Sequence, residues 1–431
     1  MPKKALWTLV TLDHQSNDAD ELWYPSQNRQ DDPDQQEEQR SDGNIADGSI
    51  NHLRQVSLAA SDGLSENCFG QSVSISGDYA FVGAYYSDDH GHRSGSAYIY
   101  NHDGTDWSEV GKLLPGDESP KGLFGQSISV SGGYAMVGAC GDSNASLRGH
   151  VYFYKLDGTS WRLQTKVTAD DSTPEDFFGF SVYMSEDFAI VGAPRNDSAG
   201  TDCGAVYIFK RDGDSWEQPV RVTANDATTN DNFGVSVSVS GNRAIVGASS
   251  TDERQSETGS AYIFHYNGKD WIEEAKLVAS DGTAGDEFGN SVSISNDSVI
   301  VGARYDDEYG YKSGSAYIFH YTGAHWEEQC KINPGDEIAG DEVGYSVVIS
   351  GDRALIGSKY ANAVYVYQYI DGSWLHMDKI VASHGFGHSI GTSEKRIIVG
   401  MPYHDGNGVN SGSARVYPME SPNARDAKLG G

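Results

Sequence analysis

A Phe-Gly pair recurs along this 431-residue chain at Phe69-Gly70, Phe124-Gly125, Phe178-Gly179, Phe233-Gly234, Phe288-Gly289 and Phe386-Gly387, with Val343-Gly344 in the remaining place. The successive intervals are 55, 54, 55, 55, 55 and 43 residues. Self-similarity at such a period marks a repeat architecture and constrains the fold before any local detail does. Within one unit, Phe288 to Ile332, four short alternating or β-branched runs are separated by turn residues, the pattern of a four-stranded meander. The first run reads FGxSVSIS-like, and the second ends in Val-Gly-Ala at Val82 to Ala84, Val137 to Ala139, Val191 to Ala193, Val246 to Ala248 and Val301 to Ala303. Units six and seven vary this as Ile356-Gly357-Ser358 and Val399-Gly400-Met401. The third run is AYIY-like, and the fourth opens with Trp107, Trp161, Trp216, Trp271, Trp326 or Trp374, expected to be largely buried.

A lone meander cannot bury both of its faces, whereas a ring of them buries each against its neighbours. The repeat therefore predicts an all-β, seven-bladed β-propeller of four-stranded antiparallel blades. The seventh unit supplies only three strands, ending near Tyr417, and lacks a Trp strand. His52 to Ala60 with Ser61-Asp62-Gly63 aligns with Trp271 to Ala279 and Ser280-Asp281-Gly282, so an N-terminal strand is expected to close the last blade. This puts the propeller at residues 51–418, between a tail at 1–50 and another at 419–431. The first tail is polar and rich in Gln and Asp from Gln27 to Gly43, a composition that favours disorder, though Trp7 and Trp23 could pack locally.

Hydrophobic residues at 38% suffice for a large core. Acidic residues number 62 against 31 basic ones, a net charge of −31, which excludes a nucleic-acid backbone as partner. No apolar run approaches the roughly 18 residues of a membrane span, so membrane insertion is not expected. Lys3 and Lys4 precede the apolar run Ala5 to Leu12, but that run is short and lacks a small-residue cleavage site, so no secretory signal is expected. Cys68, Cys140, Cys203 and Cys330 lack CxxC or zinc-finger spacing, and structural disulfides are not expected.

The paired Phe-Gly and Val-Gly-Ala signatures make residues 52 to 418 resemble the FG-GAP repeat family, which includes the seven-bladed propeller of integrin alpha chains. The resemblance implies extracellular or cell-surface binding more than a reaction. Integrin-type units often carry a DxDxDG calcium loop between the first two strands. Here those connections are tight turns such as Ser76-Gly77-Asp78, Ser295-Asn296-Asp297 and Ser350-Gly351-Asp352, too short to wrap calcium in that way.

Strand direction alternates in a meander, so the connections between strands two and three share one face of the ring with those between blades. The acids concentrate in these long loops. Asp62, Asp117, Asp171, Asp226, Asp281 and Asp336 each stand seven residues before the Phe-Gly position and read as turn formers that accept backbone N–H bonds. Asp88, Asp197, Asp252, Asp307 and Asp405 stand four residues after the Val-Gly-Ala motif. They read either as solvated loop acids or, with neighbours Asp89, Glu253, Asp306 and Glu308, as ligands to a cation or polar group. Asp306, Asp307 and Glu308 cluster hard oxygens and are the candidate calcium ligands.

The repeat breaks at unit six, where the loop Lys359 to Asn362 is about seven residues shorter than its siblings and the next interblade loop about five shorter. Short loops beside long ones make a notch, and His384, His388 and His404 fall in or near it as candidate ligand-binding groups. Aromatic stripes such as Tyr98-Ile99-Tyr100 and Tyr317-Ile318-Phe319 read as packing between blades. The chain has no nucleophile elbow, HExxH or phosphate-binding glycine loop. The expected function is a non-catalytic binding or adhesion module presenting its acidic loop face to a protein, glycan or cation. A propeller enzyme acting on carbohydrate and an assembly scaffold are the alternatives.

Overall fold

The computed structural model describes residues 55–116, 120–142, 147–251 and 257–419. The tail at 1–50 with Trp7 and Trp23, Asp117, Asp252, Glu253 and residues 420–431 lie outside the described residues. Seven antiparallel sheets follow one another in a ring. Blade five shows the plan: Phe288–Ser295, Ser298–Ala303, Ser315–Tyr321 and Trp326–Ile332 pair in that order. In blade three the outer strand splits into Ser215–Trp216 and Val220–Val222. Pro219 sits in the break, and its missing N–H explains why the ladder stops there.

The closure expected from the incomplete seventh unit is present. Val56–Leu58 runs antiparallel to Ser413–Pro418, with Val56 opposite Val416 and Leu58 opposite Ala414. N- and C-terminal strands thus share one sheet, which leaves no open seam in the ring.

The signature residues are the contacts between blades. The glycine of each Val-Gly-Ala motif backs onto the Phe-Gly glycine of the next blade. A Cβ on Gly83 would fall 2.1 Å from the Gly125 carbonyl, and one on Gly400 would fall 2.0 Å from the Gly70 carbonyl across the seam. The serine after each Phe-Gly-x donates to the next such glycine: Ser72 to Gly125 at 2.8 Å, Ser291 to Gly344 at 2.8 Å, Ser346 to Gly387 at 2.7 Å and, closing the circle, Ser389 to Gly70 at 2.9 Å. Around the axis, Ser74 accepts the Val130 N–H at 3.0 Å and Ser293 accepts the Ile349 N–H at 3.1 Å. The core is accordingly divided among the blade junctions, as where Phe69, Val73 and Tyr98 of blade one meet Ile398, Ala414 and Val416 of blade seven.

The fourth-strand tryptophans are mostly covered without being fully buried, and each packs against the core of a blade junction. They lie on the outer edge of each blade, where a neighbour covers one side only. Trp161 packs edge-on against Phe81 of the preceding blade at 4.8 Å, and Trp271 against Phe188 at 5.0 Å. Toward the tight-turn face the axial channel opens into a cavity of about 670 Å³ lined by first-strand residues such as Ser129, Tyr183, Val348 and Gly391.

Candidate functional site: the long-loop face

The carboxylates seven residues before Phe-Gly bind the next blade more than their own loop. Asp281 accepts from Tyr317 Oη at 2.8 Å and from Lys331 Nζ at 2.7 Å. Asp62 does the same with Tyr98 at 2.7 Å and Lys112 at 2.7 Å, and Asp226 with Tyr262 at 2.9 Å and Lys276 at 2.6 Å. Asp171 takes Tyr207 and Arg221, and Asp336 takes Lys379 at 2.8 Å. Burial alone would raise these carboxyls. The lysine and tyrosine bonds together outweigh it and hold Asp62, Asp226 and Asp281 below the usual carboxylate range.

The second recurring set closes its own loops. Asp88, Asp197, Asp307 and Asp405 each accept the backbone N–H five residues on, from Arg93 at 2.6 Å, Asp202 at 2.8 Å, Lys312 at 2.6 Å and Asn410 at 2.8 Å. All four remain exposed. Asp89 faces Lys112 Nζ at 2.7 Å and Ser96 Oγ at 2.6 Å.

Of the candidate calcium ligands, Asp306 and Glu308 come together and Asp307 turns away to the Lys312 N–H. Lys331 Nζ stands between the first two, 2.7 Å from Asp306 and 2.6 Å from Glu308, with Asp281 also at 2.7 Å. Asp306 accepts from Tyr317 Oη as well, at 2.8 Å. Burial would lower the lysine, and the three carboxylates outweigh it and keep the ammonium charged. The protein's own cation thus sits among these oxygens. Among the described residues, no group of three or more His, Cys, Asp or Glu side chains is placed to hold a metal ion.

The notch divides its histidines. His384 and His404 meet edge to face at 5.5 Å, while His388 turns toward the axis, buried between Tyr345 at 5.0 Å and Tyr403 at 5.8 Å. The sequence reading missed what joins it there. Lys359 lies over the rings of Tyr345, Tyr360 and Tyr403, and Arg304 lies over Tyr345 while pairing with Glu287 at 2.7 Å. Stacking the repeats would have found both cations. Each directly follows its unit's Gly-Ala or Gly-Ser, a position held elsewhere by Tyr85, Cys140, Pro194, Ser249 and Pro402.

Exposed large apolar side chains complete the face. Those in the described long loops are Tyr309, Tyr311, Ile338, Tyr360, Val409 and Leu64. They belong to blades five, six and seven and to the junctions on either side, flanking the notch.

The family model described as FG-GAP repeat matches residues 53–100, 107–154, 161–209, 216–264, 271–319 and 326–367. The chain belongs to the FG-GAP repeat family. The seventh unit, whose outer strand comes from the other end of the chain, lies outside these matches. Among solved structures, a chain of the "Crystal Structure of Mitotic Checkpoint Complex" aligns with a TM-score of 0.56 and 11% identity, over 88% of this chain and 99% of that one. At that identity the likeness concerns the propeller fold alone. No curated protein matches the sequence. Among the described residues, no helix is long and apolar enough to cross a membrane.

Proposed function

We propose that this FG-GAP propeller is a non-catalytic binding or adhesion module that receives a protein or glycan partner on its long-loop face over blades five to seven. One observation carries the reading: Tyr309, Tyr311, Ile338, Tyr360, Val409 and Leu64 are exposed there, while the other described long loops present no large apolar side chain of that exposure. Exposed large apolar side chains gathered on one sector and rimmed by charge are a feature of recognition surfaces. The recurring carboxylates are engaged by the fold's own lysines, tyrosines and backbone amides, which favours presentation over acid–base chemistry. The family supports an extracellular or cell-surface setting.

The test is a screen of the whole chain against peptide and glycan arrays, repeated with Tyr309→Ser, Tyr311→Ser and Ile338→Ser combined. The expected result is loss of binding at an unchanged melting temperature. Equal binding by the two proteins would remove this face from the reading.

A further inference from the structure

Lys359 is only 7% exposed, and three tyrosine rings at 4.8 to 5.1 Å surround its ammonium. Among the described residues no carboxylate lies within ion-pair distance of it. Aromatic faces return only about 0.5 to 2 kcal/mol to such a cation, so its N–H donors are left open for an acceptor. His388 is likewise 7% exposed, packs on two of the same rings and has no hydrogen-bond partner at Nδ1. A lysine this deeply covered is almost always paired, so an ammonium whose neighbours among the described residues are tyrosine faces marks a place for an acceptor. Arg304 and Lys312 add positive charge, while Glu287 is held by Arg304. Burial raises the nearby Glu342 carboxyl against the pull of Lys359, Arg304 and Lys312.

We propose that this axial cluster receives one carboxylate, an Asp or Glu side chain of a polypeptide partner, with Lys359 Nζ as the donor. The assignment rests on the binding reading above and names its ligand chemistry. The surroundings select the source. Exposed Asp88, Asp197, Asp307, Glu308 and Asp405 ring the face and repel a polyanion such as a sulfated glycan. A peptide with a single acid among basic and apolar residues suits both rim and centre. Tyrosines around a charged anchor are also the composition of protein hot spots.

The experiment selects short random peptides on the full-length chain and measures their affinity by fluorescence anisotropy at physiological ionic strength. The proteins compared are the wild type, Lys359→Met and Lys359→Arg, with melting temperatures recorded. Each selected peptide should carry an acid whose change to Asn or Gln weakens binding about 30-fold or more, the scale of a truncated buried charge pair. Lys359→Met should cause the same loss, Lys359→Arg should retain most of the affinity, and the amide peptide should lose nothing further on Lys359→Met. Should Lys359→Met unfold, the peptide exchange and Lys359→Arg still decide. Peptides that need the long-loop face but ignore Lys359 would overturn this assignment and leave the binding reading standing. Glycans binding in place of acidic peptides would also overturn it, and the absence of any binder would overturn both.

Discussion

Lys331 and Lys359 stand in neighbouring blades and live in opposite surroundings. Lys331 meets three carboxylates within 2.7 Å, and Lys359 meets three tyrosine rings and, among the described residues, no carboxylate at ion-pair distance. The first is an instance of a repeated arrangement, since Lys112, Lys276 and Lys379 also bind the aspartate of the preceding interblade loop. The second occupies a repeat position that is neutral in five of its siblings. In a repeat protein, charge that recurs belongs to the junctions between units. Lys359 breaks the recurrence, and that departure is where the proposed ligand site lies.

The largest perturbation should spare neither region. Removing residues 1–62 deletes Val56–Leu58 and opens the ring at blade seven, so the melting transition should fall far below that of a chain lacking only residues 1–50. Equal transitions in thermal melts would break the closed-ring account. Next in size is Phe288→Ala in a repeated core position that is 0% exposed, expected to cost about 3 to 5 kcal/mol in urea denaturation. Trp271, mostly covered without being fully buried, should cost less than that range when changed to Ala.

Acid should separate the two regions more gently. Asp281 is held below its ordinary value of 3.8 when folded, so the unfolded chain binds the proton more readily. Its contribution is complete above about pH 4 and is lost as pH falls through the folded value. The melting difference between wild type and Asp281→Asn should therefore be present at neutral pH and vanish in acid. Burial first, then Lys359 and Arg304, hold His388 well below its ordinary 6.5. That contribution is complete above 6.5 and declines as the unfolded histidine takes up a proton, so wild type should lose more stability than His388→Asn between pH 7 and pH 5. Parallel pH profiles for wild type and variant would contradict either assignment. The smallest expected effect is calcium heat at Asp306, Asp307 and Glu308. With Lys331 among those oxygens, calorimetric titration should give the same weak isotherm for wild type and for Asp306→Asn with Asp307→Asn.

The fold was legible because its signature residues have no freedom. Gly83 and Gly400 each face a neighbouring backbone so closely that no side chain fits, and such contacts recur once per blade and impose the period on the sequence. The roles of the acids were less legible, because recurrence shows that a carboxylate is needed without showing what it meets. The partners carry a period of their own. Tyrosine stands 36 residues and lysine 50 residues after Asp62, Asp226 and Asp281, and reading the three positions together would have found the clamp. The histidines of the notch were visible, but Arg304 and Lys359 were not. Their cue is a departure from the repeat, and a search for what recurs passes over it.

Paired measurements on Lys331→Met and Lys359→Met test the division between framework and ligand charge most directly. Urea denaturation and binding of an acid-bearing peptide selected on wild type would be measured for both variants. Lys331→Met strands the buried Asp306 beside the partly solvated Asp281 and Glu308 and should lose about 3 kcal/mol, while retaining peptide affinity. Lys359→Met should stay within about 1 kcal/mol of wild type, since a methionine fits among the tyrosines, and should lose the peptide. Loss of stability in Lys359→Met with binding intact, or loss of binding in Lys331→Met with stability intact, would contradict the account.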